Sequence, residues 1–441
     1  MIKADSLRLF CTLNPLRQLQ PSAGAFTMSS HPVLHAPLAA SRSQMWRHIF
    51  AGLCASLVSI GLARFAYTPL LPALIQAHWF AASDVVYLGA ANLAGYLVGA
   101  LLGRPIASRF SNTHTLRLMM VLVTLAFFAC AFPVSVAWFF AWRLLSGVAG
   151  GAIMVLVAAT VLPHVPANSK GIASGAVFLG LGLGIAGSGT IVPLLLELGL
   201  RDTWIGLAAL SAVLTAASWF GWPASGTAGA KAAEQKAAVA MGRDVTATVK
   251  ILYAEYALMA VGLVPAMVFL VDFIARGLGA GAHLGSLFWI LYGLGAIFGP
   301  PVYGFFADRV GSRTALRALL LVQAIAVAIL GASSNHVLIG LVTIVIGTFP
   351  AGIVPLVLAR VHQTIPGNVT QQNVVWSRAT TVFAAFQALA GYAYSAIFNS
   401  SGGNHRLLFV IGAVAIVVAL VVDLVASSSS RASSREGGVA R

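Results

Sequence analysis

Charge is what this sequence has least of. Asp, Glu, Lys and Arg together make up 8% of 441 residues, against about 25% in a soluble globular protein. Such a chain cannot cover a water-facing surface. Cysteine is rare as well, and Cys11, Cys54 and Cys130 have neither the spacing of a metal site nor that of a disulfide framework. There is no Walker loop, so ATP hydrolysis within this chain is excluded as an energy source. There is no G-x-S-x-G elbow and no paired-carboxylate site, so no enzyme activity and no cofactor is expected. Acids are the scarcest charges, 11 against 26 Lys and Arg. A net charge of +15 would suit a nucleic-acid binder, but the basic residues lie between long apolar runs rather than on one face. Those runs are what the sequence has: 59% apolar residues and a mean hydropathy of +0.91. The chain reads as a polytopic membrane protein.

A membrane helix needs about 20 mostly apolar residues, and the chain holds twelve such segments. Six run near 47–75, 84–103, 116–132, 135–159, 170–196 and 203–222, and six near 248–272, 283–306, 316–332, 336–358, 371–397 and 405–426. They are too long and too evenly apolar for the strands of a membrane barrel, so the fold class is all-α. With both termini inside, twenty Lys and Arg fall in inner loops and tails. Three fall outside (Arg201, Arg276, Arg406) and three within apolar segments (Arg64, Arg143, Arg378). That imbalance fixes the orientation by the positive-inside rule and requires an even number of spans.

Residues 1–45 read as a disordered cytoplasmic tail, with an organelle transit peptide as the alternative and Met28 or Met45 as alternative starts. Residues 223–247 are a polar linker between two sets of six spans, 46–222 and 248–426, and 427–441 are a second cytoplasmic tail. A shift of 200 aligns Gly95, Gly99, Ala107, Arg109, Leu116 and Arg117 with Gly295, Gly299, Ala307, Arg309, Leu316 and Arg317. Two halves related about an axis along the membrane normal are a transporter plan. Receptors and simple channels do not need one.

Gly304-Phe-Phe-Ala-Asp308-Arg309-Val-Gly311-Ser-Arg313 closes the eighth span. Glycine permits close helix approach and a tight turn, and Asp308 can pair across the junction. The stretch matches G-x-x-x-D-R-x-G-x-R, the loop signature of the major facilitator superfamily. Its first-half counterpart around Arg104 and Arg109 is degraded, with Ser108 in place of Asp and Ser111 in place of Gly. Arg143, followed by Gly147, Gly150 and Gly151, resembles the superfamily's fourth-helix pattern. An arginine in lipid must face the bundle and find a partner, which suits proton coupling, anion binding or a structural cross-helix bond. The fifth span, with Gly171, Gly175, Gly180, Gly182, Gly184, Gly187, Gly189 and Pro193, resembles the Gly/Pro motif of exporters, although packing alone would place the same glycines.

In Gly61-Leu-Ala-Arg64-Phe-Ala-Tyr67-Thr-Pro69-Leu-Leu-Pro72 a lone buried cation with a tyrosine beside it suits a carboxylate or another anionic group. The alternative is a buried ion pair, for which Glu255 is the best acid. Glu255 is also the first choice for proton carrier. Asp272 reads as structural, near the outer interface. Arg378 and Gln387 are expected on roughly the same side of the eleventh span, after Asn373 and Trp376. Trp289 and Tyr292, three apart on the eighth, can share a face and line a cavity or simply pack. His78, His283, His336 and His405 fall in outer loops without ligand spacing, and no metal site is expected.

With these motifs, residues 46–426 resemble the bacterial YbfB/YjiJ-type group of the major facilitator superfamily. The resemblance implies two six-helix bundles that rock about a central cavity in a bacterial inner membrane. The expected activity is secondary transport of a small organic solute, anionic if Arg64, Arg143 and Arg378 face inward, with protons as coupling ion. Arg64, Tyr67, Trp289, Tyr292, Arg378 and Gln387 are expected to bind the solute, and Glu255 and Arg143 to serve coupling. Gly304, Asp308, Arg309, Gly311, Arg313 and Arg109 are expected to gate. A proton-driven exporter of drugs or metabolites is the alternative, and a non-transporting sensor of the same fold is a third reading. The expected working unit is a monomer in the lipid bilayer, without nucleic acid.

Overall fold

The computed structural model describes residues 42–166, 169–223, 243–366 and 368–439. The expected tail before residue 42 and most of the 223–247 linker therefore lie outside the described residues. Twelve helical segments follow in order: α1 Arg42–Gln76, α2 Ala82–Phe110, α3 Asn112–Cys130, α4 Val136–Val161, α5 Lys170–Leu196 and α6 Leu200–Ser218. The second set is α7 Arg243–Asp272, α8 Gly281–Val310, α9 Ser312–Ala332, α10 His336–Thr364, α11 Val369–Ser400 and α12 His405–Val439. Eleven are long and apolar enough to cross a membrane. The remaining one, α6, has 19 residues and opens on Arg201-Asp202, which dilutes its apolar content. The α12 helix continues beyond the expected boundary at 426. The α2 and α8 helices, with 29 and 30 residues, overrun their expected apolar cores at both ends.

Helix ends follow from local chemistry. Ser135 accepts a hydrogen bond from Trp138 N at 3.1 Å, and Asn335 caps Val337 N and Leu338 N at 2.9 and 3.1 Å. These are N-caps that satisfy donors the helix leaves open. They stand 200 residues apart, as the repeat requires. The packing repeats as well. A Cβ on Gly95 would lie 2.0 Å from Leu144 O, and one on Gly295 would lie 2.2 Å from Ile344 O. Gly99 faces Val148 O and Gly299 faces Thr348 O in the same way, at 1.9 and 2.2 Å. Helices in lipid gain most of their association from such close backbone packing, so α2 against α4 and α8 against α10 are locked by the same residues in each half.

The turns after α2 and α8 share one backbone conformation. Gly311 has φ 82° and ψ 148°, and Ser111 has φ 78° and ψ 154°. The glycine is at home there, whereas the serine occupies a region that L-residues avoid. Gly304, by contrast, makes no close helix approach: a Cβ there would meet nothing within 4 Å.

Contacts between the halves gather in the middle and at the end away from these arginine-bearing turns. The Ser395 hydroxyl donates to Val86 O at 3.5 Å, Tyr87 and Tyr392 stack with ring centroids 6.4 Å apart, and Gly391 abuts Leu93 and Ala90. The α5 and α8 helices interlock from Gly182 with Ile297 to Gly189 with Ile290. Two turns nearer the arginine-rich end, Gly175 has nothing within 4 Å of its Cβ position.

Candidate functional site

The centre of the molecule is built on an irregular helix. In α1 the regular ladder gives way to a π-helical turn, Leu57–Leu62, immediately before Arg64, and Pro69 and Pro72 follow. Proline cannot donate to the preceding turn, and π-turns re-aim side chains at functional sites. Here the result is a partly exposed Arg64. Its Nη1 donates to Gln387 Oε1 of α11 at 3.0 Å, across the two halves. Its guanidinium carbon stands 4.1 Å from the Tyr96 ring centroid, a cation–π contact. Its Nη2 is buried without a hydrogen-bond partner. Gln387 is itself held by Met267, whose sulfur is 3.8 Å from Nε2, and Thr68 donates to Met267 O at 2.9 Å. Arg64 and Gln387, both expected to contact the solute, are brought together across the two halves.

Tyr67 and Arg143 form the layer behind. The Tyr67 hydroxyl donates to Val85 O at 2.6 Å, and its ring lies 4.3 Å from the Arg143 guanidinium carbon. Arg143 is 2% exposed. Its Nη1 donates to Ala63 O at 2.7 Å, and its Nε has no partner. This is a cross-helix bond that holds α4 to the distorted stretch of α1, next to Arg64.

Other expected site residues are placed differently. Trp289 and Tyr292 do share a face, stacked at 4.9 Å and 8°, but both are fully buried between α5 and α8, with Trp289 Nε1 donating to the Ser188 hydroxyl at 3.1 Å. Arg378 is exposed and Gln387 is 1% exposed. The same-side expectation fails because nine residues are two and a half helical turns, which puts them on opposite faces. The residues that do share a face with Gln387 are Phe383 and Trp376, and both pack on Tyr256 of α7, with ring centroids 4.5 and 6.3 Å away. Sequence reading passed over Tyr96, Tyr256 and Phe383 as lining residues. The available signal was the four-residue step from Phe383 to Gln387.

Glu255 does not pair with Arg64. It is fully buried near the arginine-rich end and receives the Nη1 of Arg360, whose Nη2 reaches Asp423 at 3.0 Å. Asp423 also accepts from Arg317, and from Arg313 at 3.3 Å. One guanidinium thus ties α7, α10 and α12 together, and Asp423 connects them to the first two turns of α9. Glu255 Oε1 is left without a partner. Arg360 had been counted with the inner-loop cations, yet it is 7% exposed inside α10. The first half carries no such cluster: the positions 200 earlier are Ala55, Thr160 and Pro223. There Arg117, the counterpart of Arg317, donates to Trp219 O at 2.6 Å instead.

In the signature loop, Gly311 makes the turn and Arg313 is bound to Asp423, while Asp308 and Arg309 are exposed and Arg309 lies over the Phe305 ring at 4.4 Å. Arg109 is exposed at the end of α2. At the opposite end His405 is buried rather than idle in a loop. Its Nε2 is 2.6 Å from Asp272, which also pairs with Arg276. Among the described residues no cluster of metal-ligating side chains occurs.

Comparison with known proteins places this arrangement. The model of one protein family, described as "Uncharacterised MFS-type transporter YbfB", matches residues 56–424. The chain belongs to that family. It is therefore a multi-pass membrane transporter of the major facilitator type and not an enzyme. No curated protein matches this transporter's sequence. Among solved structures it is similar to a D-xylose-proton symporter, with a TM-score of 0.69 at 15% identity over 86% of this chain and 96% of that one. It is similar also to the POT family transporter PepTSo, with a TM-score of 0.69 at 13% identity over 88% and 98%. At such identities the likeness is one of fold.

Proposed function

We propose that the transporter carries a small organic anion by alternating access, coupled to protons, as a monomer in a bacterial inner membrane with both termini cytoplasmic. The observation that carries the reading is Arg64: a cation at the junction of the halves, with one buried Nη2 unpartnered and, among the described residues, no carboxylate bonded to it. A buried donor left unmade is costly, and an anion would satisfy it with a charge-assisted bond. Gln387, bridging to Arg64 from the other half, would report occupancy to α11. The solved proton symporter of the same fold is consistent with proton coupling.

Glu255 is the proposed proton carrier. Protonation there would remove one of the two carboxylates held by Arg360 and loosen α7 from α10 and α12. The conformation described is sealed away from the arginine-rich end, which we take as inward-facing. Asp308, exposed in this state, would pair when its own end closes. Arg309, Arg313 and Arg109 would line that gate.

The reading is tested by thermal unfolding of the purified protein with organic acids and, separately, with lipophilic cations. A ligand that binds only the native state at a hundred times its Kd stabilises it by about 2.7 kcal/mol. Stabilisation by acids that Arg64→Ala abolishes supports the anion reading. Stabilisation by diverse cations that survives Arg64→Ala favours an exporter.

A further inference from the structure

The surroundings of Arg64 narrow the kind of anion. Two groups of side chains adjoin there along α11: Arg64 and Tyr96 with Gln387, and Tyr256 with Trp376 and Phe383. Gln387 and Phe383, one turn apart on α11, join the guanidinium to the aromatic wall. On α11 the steps from Trp376 to Phe383 and from Phe383 to Gln387 are seven and four residues, so the three form one stripe. Arg64, Trp376 and Phe383 are partly exposed, whereas Tyr96 and Tyr256 are 7% and 3% exposed and form the backing.

The polar capacity of this surface is small and one-sided. Gln387 is occupied on both sides, by Arg64 and Met267. Among these side chains, Arg64 Nη2 is the charged donor that is buried without a hydrogen-bond partner. A second cation is not at hand: Arg143 is 2% exposed and bonded to Ala63 O, and Arg378 lies on the other face of α11. A dicarboxylate would have one charge unmatched. A sugar acid would bury hydroxyls against rings, leaving hydrogen bonds unmade. A flat apolar body would stack on Tyr256, Phe383 and Trp376 in the offset or edge-on arrangements that aromatic rings favour.

We propose that the cargo is an aromatic monocarboxylate, its carboxylate on Arg64 Nη2 and its ring against the Trp376–Phe383 stripe. This rests on the organic-anion reading of the same site. The test is calorimetric titration of the purified full-length protein with benzoate, phenylacetate, acetate, lactate, gluconate and succinate. The aromatic acids are expected to bind about tenfold more tightly than acetate or lactate, the increment of a stacked, buried ring. Phe383→Leu and Trp376→Leu, which keep the site apolar, are expected to reduce that ratio severalfold. Equal or tighter binding of lactate, gluconate or succinate overturns the aromatic assignment and leaves the anion reading standing. An aromatic preference untouched by both substitutions overturns the placement of the ring. Binding of no carboxylate at all overturns the anion reading itself, and this inference with it.

Discussion

Three arginines lie inside apolar segments of this chain, and each does something different. Arg143 ties α4 to α1, Arg378 is exposed, and Arg64 alone bridges the halves while keeping a donor unpartnered. The rarity of charge made all three visible in the sequence, because an ion in lipid is too costly to be incidental. Their partners were not visible, since Arg64 and Gln387 stand 323 residues apart and nothing local encodes the pairing. Glu255 illustrates the same limit. It was legible as a buried acid, but its partner Arg360 passed for a loop cation because it sits only four residues from the end of α10. Its structural role and its proposed coupling role can be separated. Glu255→Gln keeps the shape and leaves Arg360 with Asp423, so solute counterflow at equal pH is expected to persist while accumulation driven by a pH gradient is lost. Arg360→Ala leaves Glu255 buried without a counter-ion, while Asp423 keeps Arg313 and Arg317, and a fall of about 3–5 kcal/mol in stability is expected, read as a lower unfolding temperature.

Among the elements, the repeat was the most legible feature. A shift of 200 aligned glycines whose packing partners turn out to be offset by the same 200, Leu144 with Ile344 and Val148 with Thr348. The physical reason is that a backbone-to-backbone contact tolerates no side chain at all, so the pattern of small residues records it directly. What one half lost is as informative. Ser111 holds the backbone conformation of Gly311 while carrying a side chain, a strain of about 1–3 kcal/mol. Its hydroxyl accepts from His114 N at 3.4 Å and lies 2.9 Å from His114 Nδ1, both on the exposed surface, and glycine at an N-cap costs only a few tenths of a kcal/mol relative to serine. Ser111→Gly is therefore expected to stabilise the protein by about 1 kcal/mol, and Gly311→Ala to destabilise it by about 1–3 kcal/mol. Thermal unfolding of the two variants against the wild type measures both. Helix periodicity was a weaker guide, because a nine-residue step is easily misjudged and puts Arg378 and Gln387 on opposite faces.

For the whole molecule, the twelve helical segments and their order were legible from hydropathy, because the bilayer imposes length; eleven of them are long and apolar enough to cross a membrane. The conformational state was not, since one sequence encodes every conformation that a protein visits. The described state is closed where α2 meets α11. A Cβ on Gly391 would lie 3.5 Å from Ala90 Cβ, within the usual 3.5–4.5 Å for a disulfide. In a background lacking the native cysteines, Ala90→Cys with Gly391→Cys is expected to cross-link on oxidation. Transport should stop, while Arg64 stays accessible from the arginine-rich end. Full transport by the cross-linked protein would mean that this end does not open during the cycle.

The most direct test is solute-driven proton movement in vesicles holding the purified transporter and a pH-sensitive dye, compared with protein-free vesicles. Wild-type protein is predicted to move protons when a monocarboxylate is added, and Arg64→Ala to reduce this to the protein-free rate. A carboxylate response that survives Arg64→Ala, or a response only to lipophilic cations, would contradict the role assigned to Arg64.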